Sequence, residues 1–271
     1  MLILGVFQLH ERLRRQLEAM VTRADLIHYL QTLLTPEIFS DYCPNGLQVE
    51  GRHQIKRMVS GVSANSALIE EAIRYKADLI LVHHGYFWKG ENPCITGLKC
   101  NRLKLLLAHE LNLIAYHLPL DAHIELGNNM QLARVLGFIP EGQLSSGEQP
   151  ALTWHGRLVQ AQTGFALAQH ITKQLAREPL YIEGESEYIE TVAWCTGAAQ
   201  DFIQTAVDYG CDAFITGEVS ERTVDIARET GIHFYAAGHY ATERYGIQAL
   251  GDHLAKQFSL DHQFIEIENP V

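Results

Sequence analysis

The chain has 271 residues, of which 47% are hydrophobic and 20% charged, and its formal net charge is -11 at pH 7. That composition excludes wholesale disorder, and the acidic balance speaks against duplex DNA as a partner, because neutralising phosphates needs a basic face. The five cysteines, Cys43, Cys94, Cys100, Cys195 and Cys211, contain no CxxC pair, which argues against a cysteine zinc site or a disulfide frame and for reduced thiols in the cytoplasm.

No apolar stretch approaches the roughly 18 residues needed to span a bilayer. Residues 1–19 place a short apolar start before a charged helical pattern, the reverse of a signal peptide, and are expected to form an extension ahead of a domain that begins near Met20. "DLIHYLQTLL" (25–34) has helical apolar spacing, and the turn-rich "SDYCPNGLQVEG" (40–51) follows. A strand is expected over 56–62, then a helix capped among Ser63, Asn65 and Ser66 whose apolar side uses Leu68, Ile69, Ala72, Ile73 and Tyr75. The apolar run 79–82 reads as the next strand, 101–109 as a helix and 113–116 as a further strand. Strands alternating with helices predict an α/β architecture with a parallel or mixed sheet.

The pattern then repeats. "VSANSALIEEAIRYKADLILVHHG" (62–85) lies on "TGAAQDFIQTAVDYGCDAFITGEV" (196–219) without a gap, pairing Ala64, Ile69, Ala72, Tyr75 and Asp78 with Ala198, Ile203, Ala206, Tyr209 and Asp212. Downstream, each copy ends a strand in His-x-x-x-carboxylate, His117 to Asp121 and His239 to Glu243. Two related α/β halves follow from this. Between them, 137–156 is rich in Gly, Pro, Ser and Glu and reads as a linker. The expected organisation is a main α/β domain over 20–140 and 190–271, with a smaller α/β segment inserted at 141–189.

Open α/β sheets bind ligands beyond the carboxyl ends of their strands. His83, His84, His117, Asp121, Glu218, His239 and Glu243 all follow expected strands. Adjacent strand residues face opposite ways, so a twist at the strand end, with Gly85 permitting the turn, lets His83 and His84 serve two neighbouring metal ions. His239 and Glu243 lie one turn apart on an expected helix and share a face. Pro119 interrupts the first pair, so a tight turn rather than a helix is expected to present Asp121. For His117, metal ligand, support to a ligand and proton carrier all stay open. Imidazole and carboxylate donors without thiolate suit zinc, iron, manganese or nickel. His10, His28, His53, His155 and His262 lack this context and read as surface or packing residues.

"VHHGYFWKG", "YHLPLDAHIELGNN", "FITGEVSE" and "AAGHYATER" together resemble the Nif-three-like family of dinuclear-metal proteins, and within it a bacterial branch labelled as homologues of a GTP cyclohydrolase. "SDYCPNGLQVEG" and "VAWCTGAAQDFI" match its style, and the resemblance runs from about Asp25 to the C-terminus. It implies a two-domain α/β chain with a Nif-three-like fold, assembled as a ring-shaped homohexamer around an internal cavity. It implies two divalent metal ions per chain, one held by His83 and Asp121, the other by His84 and His239, with Glu243 bridging them. His117 matches a family histidine in the cavity. Family members are described as protecting against radiation damage and handling damaged nucleotides.

The leading functional expectation is a metal-dependent hydrolase acting on a nucleotide or similar heterocyclic or phosphorylated compound. Coordination lowers the pKa of water from about 15.7 to ~7. His117 or Glu218 is expected as proton shuttle, Trp88 against a base, Lys89 or Arg244 on a phosphate, and Tyr86 as a further substrate contact. A rival expectation is a metal-delivery or regulatory assembly without turnover. Nucleic-acid binding in the ring cavity has least support.

Overall fold

The structure, a computed structural model, describes residues 21–145 and 150–271. The expected extension over 1–19, Met20 and His10 lie outside the described residues. The chain begins with β1 (Val21–Thr22) and α1 (Arg23–Leu34), then β2 (Gly46–Val49), β3 (Gln54–Ile55), β4 (Arg57–Ser63), α2 (Ser66–Arg74), β5 (Leu79–His84), α3 (Gly97–Ala108) and β6 (Asn112–Ala115). Two helices, α4 (Leu118–Ala122) and α5 (Asn128–Leu136), lead to β7 (Ile139–Leu144), β8 (Thr153–Gln162), α6 (Gly164–Leu175) and β9 (Leu180–Ile182). The second half follows as β10 (Ile189–Trp194), α7 (Ile203–Tyr209), β11 (Ala213–Thr216), α8 (Glu221–Thr230), β12 (His233–Ala236), α9 (His239–Phe258) and β13 (Asp261–Phe264).

Two mixed sheets result. The first has the order β13-β4-β5-β6-β2 and the second β7-β8-β10-β11-β12-β9. Each contains a parallel triplet, β4-β5-β6 and β10-β11-β12, as the sequence repeat predicts. Strand alternation builds the cores. Leu79 and Leu81 of β5 enter the cluster with α1 and α9, while Ile80 and Val82 enter the one with α2. In β11, Ala213 and Ile215 face α6, and Phe214 faces α7. The α2 helix starts where expected, because the Asn65 side chain accepts the Leu68 N–H.

Helix α9 joins the halves. It begins at the end of β12, where Ala241 belongs to the core of the second sheet, yet its Ile247, Leu250 and Leu254 pack on the first. A helix rooted in one half and buried in the other carries side chains across.

Three expectations change. Residues 141–189 form no sheet of their own: β7, β8 and β9 pair into the second sheet. The stretch read as a linker contains β7, whose Pro140 and Gly142 flank a register shift on an edge strand, where a missing N–H is tolerated. Pro119 does not prevent a helix after His117, since it stands in the first turn of α4, where its N–H would have no partner anyway. Among the described residues no helix is long and apolar enough to cross a membrane.

Candidate metal centre

Strand β5 runs to His84, so both histidines leave on its last residues. His83 is fully buried. Its Nδ1 lies 2.9 Å from the Tyr116 carbonyl; a carbonyl only accepts, so Nδ1 donates to it and Nε2 is turned toward Asp121 and Glu243. His84 Nδ1 pairs with Ser63 Oγ at 3.1 Å, and His239 Nδ1 donates to Glu218 Oε1 at 2.6 Å. All three rings are thus fixed through Nδ1 and present Nε2 to a common point. Such outer hydrogen bonds set the orientation and basicity of metal-binding histidines.

That point is Glu243. Its Oε1 lies 3.5 Å from His83 Nε2, and Oε2 lies 3.2 Å from His84 Nε2 and 3.0 Å from His239 Nε2. Asp121 Oδ1 stands 3.5 Å from His83 Nε2 and accepts from Asn128 Nδ2 at 2.8 Å and Thr196 Oγ1 at 3.3 Å. Two groups of donors share the Glu243 carboxylate: His83 with Asp121, and His84 with His239. Gly197, at φ +71°, sits against Glu243 Oε1, and any Cβ there would overlap the carboxylate. Gly85 is required by space rather than by a turn. A Cβ there would overlap the end of the Gln48 side chain, and the positive φ values of this loop fall on Phe87 (+66°) and Gly90 (+86°).

These residues fit metal ions. Asp121 and Glu243 are 6% and 3% exposed, and two neighbouring buried carboxylates need cationic compensation. Glu243 Oε2 is buried with no hydrogen bond although two imidazole nitrogens flank it, an arrangement that a shared cation satisfies. Protein charges alone leave the cluster strained. Burial disfavours charge on His83, yet Asp121 and Glu243 raise its pKa to about 9. Burial and the adjacent imidazoles push His84 down to about 3. His239, despite its burial, is raised to about 9 by Glu243 and Glu218. Burial raises the Asp121 carboxyl, whereas His83, His84 and His239 hold Glu243 well below its ordinary value against its burial.

The centre opens on a cavity of about 970 Å³ whose floor includes His84, His117, Asp121, His239 and Glu243. Trp88 and Lys89 line its wall, together with Phe39, Tyr42 and Phe202. Tyr86 is not among these residues: it is buried, and its hydroxyl donates to the Ala64 carbonyl at 2.6 Å. Arg244 is spent on Glu266 (2.7 Å) and the Leu175 carbonyl (2.8 Å). One residue along a helix turns a side chain about 100°, so Arg244 clasps α6 while Glu243 faces the centre. Glu218 orients His239. Sequence reasoning missed Asp41, which holds His117 Nδ1 at 2.7 Å, and the buried pair Asn128 and Asn129, which braces Asp121 and the Thr196 backbone. The "GNN" within "YHLPLDAHIELGNN" was the available signal, because buried amides need partners.

Residues 21–270 match the family described as Duf34/NIF3 (NGG1p interacting factor 3). A Pseudomonas aeruginosa protein named GTP cyclohydrolase 1 type 2 homolog is 52% identical over 251 residues, covering 93% of this chain and 99% of that protein. One of the same name from Escherichia coli is 51% identical, covering 91% and 98%. A solved structure described as protein ybgI, of unknown function, superposes with a TM-score of 0.90 at 50% identity over 93% of this chain and 100% of that one. A Thermus thermophilus protein gives a TM-score of 0.84 at 31% identity, with 93% and 100% covered. The chain belongs to the DUF34/NIF3 family.

Proposed function

We propose that the chain is a hydrolase dependent on two divalent ions, acting on a nucleotide or a related small heterocyclic or phosphorylated compound. The observation that carries this reading is that members of both donor groups, Asp121 of one, His84 and His239 of the other, and the shared Glu243, line one open cavity, whereas a purely structural ion site is closed by its protein ligands. His83 and Asp121 would hold one ion, His84 and His239 the other, and Glu243 both. Zinc, iron, manganese and nickel all accept this donor set. Bound ions supply Lewis acidity and an activated water. Trp88, Phe202 and Lys89 line the cavity, where the rings would stack on a planar heterocycle and the lysine would meet a phosphate. The name carried by the relatives points to the same substrate class.

A screen of nucleotides, phosphoesters and cyclic amides against metal-loaded protein tests the reading. Turnover is expected, and Glu243→Ala is expected to lose both turnover and metal. Full occupancy with no turnover across the panel would contradict it and favour a metal-carrying or regulatory role. We further infer a cytoplasmic homohexamer. Val159 and Phe165, 69% and 66% exposed, are available for subunit contacts, and the mass in solution checks the assembly.

A further inference from the structure

His117 is the one imidazole at the cavity floor that the two carboxylate-centred donor groups do not include. Among the described residues it falls within ligand range only of His83 and His84 together, or of Asp41 and Cys43, and both histidines of the first set already face Glu243. Its own surroundings are built with care. Nδ1 meets Asp41 Oδ1 at 2.7 Å, and its backbone N–H donates to Asn45 Oδ1 at 2.8 Å. Asp41 is in turn saturated: Oδ1 also accepts the Tyr42 N–H at 2.6 Å, and Oδ2 accepts Asn45 Nδ2 at 2.8 Å and the Leu118 N–H at 3.0 Å. A carboxylate surrounded by donors can only accept, so the proton of the His117–Asp41 bond lies on Nδ1. The nitrogen left for the cavity is Nε2. Trp88 packs edge-on against the ring, with centroids 5.0 Å apart, and limits its rotation.

We propose that Asp41 is a positioning residue that fixes His117 with Nε2 unprotonated toward the cavity, so that His117 is the cavity's proton acceptor and not a metal ligand. This rests on the hydrolase reading. A cavity water would give its proton to His117 Nε2 while the electron pair of its O–H bond forms the new bond to phosphorus or to a ring carbon. The bond to the leaving oxygen or nitrogen breaks, and that atom takes the proton from Nε2. Asp41 keeps its charge and faces the imidazolium that forms in between.

The test uses the zinc-loaded full chain labelled with ¹⁵N-histidine. The expected spectrum shows His117 with a protonated Nδ1 and an unprotonated, metal-free Nε2. In Asp41→Ala, and in Asp41→Asn should the alanine variant fail to fold, the two nitrogens average and the zinc content is unchanged. With bis(p-nitrophenyl) phosphate as probe, either Asp41 variant lowers kcat about 10²- to 10⁴-fold at constant KM. The double variant Asp41→Ala/His117→Ala is no slower than His117→Ala alone, as expected of residues that act as a unit. Loss of zinc from His117→Ala, a zinc-bound Nε2 in the spectrum, or additive losses in the double variant would overturn the proposal. If the wild type turns over neither this probe nor any compound of the panel, the hydrolase reading falls, while the spectrum and zinc content still decide the role of Asp41.

Discussion

The two repeated halves share a scaffold and differ at their strand ends. In the first, Asp78 Oδ2 accepts the backbone N–H groups of Lys56 and Arg57 at 3.0 and 2.9 Å. In the second, Asp212 Oδ2 accepts those of Glu190 and Thr191 at 3.0 and 2.8 Å. The same acid at the same register position ties the base of each parallel triplet. At the opposite ends the halves part company. β5 ends in two candidate metal ligands, whereas β11 leads to Glu218, which only supports one. The second half instead sends His239 and Glu243 across on α9. Folding requires the anchors to be alike, and a centre built between the halves requires their tips to be complementary.

The comparison breaks most visibly if ligands are removed from one half at a time. Asp121→Ala is expected to empty the position it shares with His83, and His239→Ala the one it shares with His84, each retaining the other ion by elemental analysis. A variant that keeps both ions would remove its half from the centre. The shared scaffold is tested by Asp78→Ala and Asp212→Ala. Each strips a charged acceptor from two backbone donors, and each is expected to cost about 3 kcal/mol in urea unfolding. A neutral Asp212→Ala would break the parity.

Smaller effects sharpen the contrast at the tips. Glu218→Ala is expected to weaken metal binding about 10- to 100-fold, and Ser63→Ala by less, because a neutral hydroxyl at 3.1 Å holds its ring less firmly than a carboxylate at 2.6 Å. The pH dependence has a definite sign. Acidic neighbours raise His83 and His239 to about 9, so near neutrality an ion must displace protons that these rings hold. Affinity therefore falls as pH drops below 9, about tenfold per unit for each proton displaced. Chelator competition between pH 6 and 9 measures the slope, and a flat profile would contradict it.

The scaffold was legible because hydrophobic alternation and an ungapped repeat are local signals. The cluster of His83, His84, Asp121, His239 and Glu243 was legible because histidines and acids at and just beyond the ends of buried strands stand out. Strand β7 was not, since Pro140 and Gly142 carry turn chemistry and only pairing with β8 makes them a strand. Asp41 was invisible for a related reason: it lies 76 residues from its partner His117, and no periodicity links a loop to the start of α4. Tyr86 and Arg244 misled because nearness in sequence to a ligand says nothing about side-chain direction.

The central proposal is that the halves would hold two ions between them, with Glu243 shared. Anomalous scattering from crystals of protein purified without added metal measures this directly. The account predicts two peaks, one bounded by His83 and Asp121 and the other by His84 and His239. A single peak, or density at Asp41, Cys43 and His117 instead, would contradict it.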